Sequence, residues 1–150
     1  MRKIAKLAMT AMTVLLVGGT VSTTASAATW HKGTPKALRG KYQGKRTSSV
    51  QGFGPAYTLT AKKFDISESN MPDQLVTHLK YKKIGTHLYR LKGHMAKSGF
   101  VLGGNMDYAV YRKGKTFAST GYSYHKKHGF SKYDYAKKVN HFKDGGAILH

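Results

Sequence analysis

The sequence predicts an all-β protein, a mainly antiparallel sheet closed or nearly closed into one small barrel. Three observations predict it. Period-two alternation of apolar and polar residues recurs in short segments from Tyr57 onward, Gly-containing turns join those segments as hairpins, and helical signals are confined to one late stretch. The chain has no cysteine, so packing and backbone pairing must hold the fold.

The first element is not part of that sheet. Arg2, Lys3 and Lys6 precede an uncharged apolar run, about Leu7 to Val17, and Ala25-Ser26-Ala27 supplies a small-residue cleavage pattern, the order of a secretory signal. The run is shorter than the roughly 20 residues that span a bilayer. Residues 1–27 are therefore expected to be removed, leaving a chain from Ala28 with no transmembrane anchor. Residues 28–39, with Gly33 and Pro35, read as an extended lead-in, and residues 40–150 as a single barrel domain.

Within that domain, Tyr57 to Ala61 and Lys63 to Ser67 alternate as strands. Gln74 to Tyr81 places Leu75, Thr77, Leu79 and Tyr81 on one side, and a turn around Gly85 leads to a returning strand with Tyr89 and Leu91 on one face. A second hairpin repeats the plan: Met106, Tyr108 and Val110 alternate, Gly114 turns the chain, and the strand from Thr116 to Tyr124 follows. The expected inward face includes Leu59, Ile66, Leu79, Tyr89, Leu91, Tyr108, Val110 and Phe117. Over residues 131–144, Ser131 and Asp134 resemble a capping box, with Tyr135, Val139 and Phe142 at helical spacing before Gly145 and Gly146. That stretch reads either as a short C-terminal helix or as a final strand using the same aromatics.

Two resemblances bear on this reading. The segment ALRGKYQGK, with Gly40 and Tyr42 spaced as a Gly-x-aromatic pair, resembles the opening of lipocalin-like barrels. The resemblance implies a lipocalin-like barrel over Gly40 to Tyr124, one end plugged by the aromatic ring. The lead-in TWHKGTPKALRGKY resembles the start of small exported proteins of lactic-acid bacteria, a group with no settled activity. It implies a location, secreted and extracellular, rather than a mechanism.

Charge carries the functional signal. Three of the 26 Lys and Arg precede the cleavage site and all six acids follow it, which leaves +17 on the exported chain. All eight histidines are retained, so an acidic medium raises the charge further. A field of this size concentrates anions. Such a composition ordinarily suggests nucleic acid, but export moves the expectation to teichoic acid and other anionic wall polymers outside a Gram-positive cell. The candidate polyanion-binding residues are Lys126, Lys127, Lys132, Lys137 and Lys138, with Tyr122, Tyr124, Phe130 and Tyr133 between them, extended by Lys41, Lys45 and Arg46.

Catalytic signals are sparse. A thiol nucleophile is excluded, the six acids are scattered with no spacing that suggests a facing pair, and no nucleophile elbow or phosphate loop is present. His125 and His128 could offer two imidazoles to a metal ion, but lysines separate them, and exposed titrating histidines are the better reading. No enzyme activity, cofactor or metal is expected. The reading is a secreted, wall-associated polyanion-binding protein. The alternatives are a lipocalin-like carrier of a small apolar ligand and a secreted cationic antimicrobial protein.

Overall fold

A computed structural model describes residues 29–143. The segment read as a signal, residues 1–27, lies outside them, as do Asp144, Gly145 and Gly146.

Eight strands close a barrel. They are β2 (Gly40–Gly44), β3 (Ala56–Leu59), β4 (Phe64–Ser67), β5 (Gln74–Gly85), β6 (Leu88–Met95), β7 (Gly104–Lys113), β8 (Thr116–Gly121) and β9 (Tyr135–Val139). Each pairs antiparallel with the next, and β9 returns to pair with β2, so the eight strands form a closed ring. The all-β, antiparallel barrel expected from the sequence is the observed class. Its interior is filled by Tyr42, Phe64, Phe117, Leu59, Leu91 and Val110, all essentially buried. All eight residues expected on the inward face belong to this core or pack against it.

The helix is not where the capping signals put it. Ser131 and Asp134 form a turn, in which the Asp134 carboxylate accepts from the Ser131 amide at 2.6 Å, and Tyr135–Val139 continues as β9. Closure decides between the two readings, because only a strand at 135–139 can satisfy both β8 and β2. The one α-helix among the described residues, α1 (Tyr122–His128), lies earlier and ends the preceding strand at Gly121. It rests on β7 and β8, where Ala109 and Ala118 alternate with the inward Val110 and Phe117 yet are fully buried.

The alternation in β5 also differs from expectation. Val76 and Leu79 are both buried, and the register against β6 shifts between Thr77 and Lys80. His78, with φ of 52°, takes up the bulge. In the following turn His87, at φ 62°, supplies the left-handed residue expected at Gly85, whereas Gly114, at φ 57°, behaves as expected.

The lead-in packs as part of the barrel. Its two-residue β1 (His31–Lys32) pairs with Tyr81 and Lys80 of β5, and a 3-10 turn at Lys36–Leu38 drives Leu38 into the core. Tyr42 stacks on Phe117 at 4.2 Å and donates to the Leu38 carbonyl at 2.6 Å. Arg112 lies over the Tyr42 ring at 5.5 Å and donates to the Ala37 carbonyl at 2.6 Å. These contacts close one end of the barrel. The opposite end, ringed by the β2–β3, β4–β5, β6–β7 and β8–β9 connections, is its mouth.

Candidate functional site

The expected polyanion-binding residues divide into two groups. Lys45 and Arg46 leave the end of β2, Lys132 and Tyr133 precede β9, and Lys137 projects outward from β9, where it pairs with Gln43. Together they line a surface groove of about 560 Å³ with Tyr135 on its wall. The groove lining contains no carboxylate. A smaller depression of about 360 Å³ continues past Lys45, Arg46 and Lys137 to Lys143. Lys41 lies on the same outer wall, its ammonium 5.3 Å from the Phe142 ring.

The local reason for this convergence is strand pairing. β2 and β9 are neighbours only because the barrel closes, so residues about 90 positions apart meet: Gly44 pairs with Ala136 and Gln43 with Lys137. The Gln43 side chain secures the seam by donating to the Lys143 carbonyl at 2.9 Å and accepting from its amide at 2.8 Å.

The remaining candidates lie elsewhere. Lys126 and Lys127 are exposed on α1, which packs on β7 and β8. Lys138 pairs with Tyr42 and points to the side of β9 opposite Lys137, toward Gly40. Tyr122 and Phe130 serve packing. The Arg90 guanidinium covers the Tyr122 ring at 3.9 Å, and Phe130 contacts His125 at 4.5 Å, Tyr135 at 6.0 Å and Tyr111 at 6.3 Å. Tyr124 is half-exposed and packs on His128 at 4.8 Å. In the groove itself, Tyr133 is 60% exposed beside Lys132, whose ammonium is 4.9 Å from its ring. With residues 131–144 left open between helix and strand, nothing placed Tyr135 beside Lys45. No signal in the sequence pointed to Lys143.

The mouth holds a second cavity, of about 610 Å³, and its chemistry is the reverse of the groove's. Tyr57, Tyr108, Glu68 and Asp134 line it with Gln74 and Ser119. Burial, then the charge of Glu68, push the Tyr108 hydroxyl up to about 12. Burial, followed by Glu68, Asp134 and Tyr108, raises Tyr57 further above the ordinary phenol range. The scattered acids thus do include two that share a cavity, which their separation of 66 positions concealed. Thr47 and Tyr133 line both cavities, so the two adjoin. Among the described residues no group of three or more His, Asp or Glu is placed to hold a metal ion. No protein-family model, curated protein or solved structure matches the chain.

Proposed function

We propose that this is a secreted, strongly basic binding protein without a catalytic role, held at the Gram-positive cell surface by attraction to anionic wall polymers such as teichoic acid. One observation carries the reading: Lys45, Arg46, Lys132 and Lys137 converge from three chain segments on a groove walled by Tyr133 and Tyr135 and free of carboxylates. Four cations along one groove match repeating phosphates, and phenol rings give apolar contact to the polyol between them. Lys126 and Lys127 add to the general field rather than to the groove.

The test is binding of the full-length protein to purified teichoic acid as salt is raised. Wild-type affinity should fall linearly on a log–log plot, and replacing Lys45, Arg46, Lys132 and Lys137 with Gln should flatten the slope by roughly the number of phosphate contacts removed. Lys126→Gln with Lys127→Gln should change it much less. Equal effects from both sets would mean diffuse attraction and defeat the groove assignment.

A carrier of a small apolar ligand, the lipocalin-like reading, has the closed barrel and the plug formed by Tyr42 and Arg112 in its favour. The carboxylates and Gln74 in the mouth argue against an apolar cargo. The membrane-directed reading is favoured by a different observation. Val50, Met71, Phe100 and Leu102 are exposed, Leu102 by 84%, and they sit on three of the four connections that ring the mouth. An apolar rim on a cationic protein suits an anionic lipid surface. Co-sedimentation with phosphatidylglycerol vesicles that Phe100→Asp and Leu102→Asp abolish would favour this reading, and wild-type protein left in the supernatant would remove it.

A further inference from the structure

The mouth cavity concentrates negative charge in a protein that is otherwise strongly positive. The salt bridges among the described residues both involve Asp107, so Glu68 and Asp134 face the cavity with no Lys or Arg paired to either. Neither carboxylate makes an ion pair, so a cationic ligand there has no Lys or Arg to displace. Beside the carboxylates, Tyr57 is only 7% exposed as a residue, and its hydroxyl makes no hydrogen bond among the described residues. The burial is of the ring, and the hydroxyl itself keeps accessible surface. Tyr57 lines the cavity, where a ligand can bond to that hydroxyl. Tyr108 completes the wall, its ring edge-on to Phe64 at 5.5 Å.

Two carboxylates, a free phenol hydroxyl, an aromatic ring and the Gln74 amide fit a group that is positive, donates several hydrogen bonds and is small. A primary ammonium has three donors and a charge that tyrosine faces attract. A free organic cation would be repelled by the net charge of the chain. The ammonium therefore has to arrive on a molecule that also carries an anion, and the basic groove adjoins the mouth across Thr47 and Tyr133.

We propose that the two cavities form one composite site for a phosphate ester bearing an ammonium group, the ammonium held in the mouth by Glu68, Asp134 and Tyr57 and the phosphate held in the groove by Lys45 and Arg46. The phosphate half rests on the groove reading above; the ammonium half does not.

Calorimetric titration of the full-length protein with inorganic phosphate, phosphoethanolamine and ethanolamine tests it. Phosphoethanolamine should bind about ten-fold more tightly than phosphate, the worth of one charge-assisted contact. Glu68→Gln with Asp134→Asn should remove that preference and leave phosphate affinity unchanged. Tyr57→Phe, which keeps the ring, should reduce it by a smaller factor and stands in if the double variant does not fold. Lys45→Gln with Arg46→Gln should weaken both phosphate ligands alike and keep their ratio. Equal binding of the two by wild type, or a preference that survives the double variant, overturns the ammonium site. A preserved ratio with phosphate affinity untouched by the groove substitutions overturns the groove and leaves the mouth standing. Vesicles containing phosphatidylethanolamine, compared with soluble phosphoethanolamine, separate a lipid headgroup from a soluble source.

Discussion

Tyr42 carries the closed end of the barrel through one ring and one hydroxyl. The ring stacks on Phe117, and the hydroxyl binds the carbonyl of Leu38, which the 3-10 turn leaves in a dry environment. Burial holds this hydroxyl above the usual phenol range, against the opposing charge and hydrogen bond of Arg112. Tyr42→Phe keeps the stacking and strands a buried carbonyl, so it should cost about 1–3 kcal/mol in urea denaturation. Asp107 makes a different prediction. Burial works against its charge, but the hydrogen bond and charge of Arg90, with Lys92 3.7 Å away, hold its carboxyl below the usual carboxylate range. A depressed carboxylate contributes stability above its unfolded value of about 3.9 and loses that contribution as pH falls through the folded value. Asp107→Asn should therefore be less stable than wild type near neutral pH, with the gap closing in acid, measured by denaturation at about pH 7 and about pH 3.

Among the elements, β5 shows how far local alternation reaches. Its N-terminal part pairs with β4 and its C-terminal part with β1, and the bulge at His78 lets both parts turn apolar residues inward. Opposite the bulge, Gly93 has room for no side chain: a Cβ there would lie 2.7 Å from Leu79, Val76 and the Thr77 carbonyl. Gly93→Ala should destabilise the barrel by about 1–3 kcal/mol, the range for overpacking a filled core, and thermal unfolding checks it. Strand identity was legible in the sequence because period two is a local property, and Leu59, Ile66, Leu91 and Val110 fall where alternation puts them. The bulge was not, since an extra residue is dictated by the partner strand. The late stretch stayed open between helix and strand for a related reason. Ser131 and Asp134 make the same short hydrogen bond in a turn as in a cap, and barrel closure then claims Tyr135–Val139 for the sheet. Of the candidate site, residue types were legible and the grouping was not: Lys45 and Lys137 meet only through the β2–β9 pairing, while Lys126 and Lys127 ride on α1.

At the scale of the whole molecule, the barrel has one sealed end and one open end, and the lead-in makes the difference. Leu38 fills the space beneath Tyr42, Arg112 ties the Ala37 and Arg39 carbonyls to β7, and the Thr34 hydroxyl binds the Thr60 carbonyl at 2.5 Å. β1 also covers the part of the β5 edge that β4 leaves uncovered, with the Gly33 amide donating to Leu79 at 2.6 Å. The lead-in thus does for the sealed end what side chains alone do not. Its loss should expose Tyr42 and Phe117 from below and free a strand edge suited to pairing with a second chain. A variant starting at Arg39 should bind a fluorescent apolar dye more strongly than the longer chain and show a concentration-dependent increase in mass by light scattering. It should retain the salt-dependent binding of the groove, which is built from β2, β9 and their flanking loops. If the shortened variant stays monomeric with no gain in dye binding, the barrel seals itself and the lead-in is only an attachment to it.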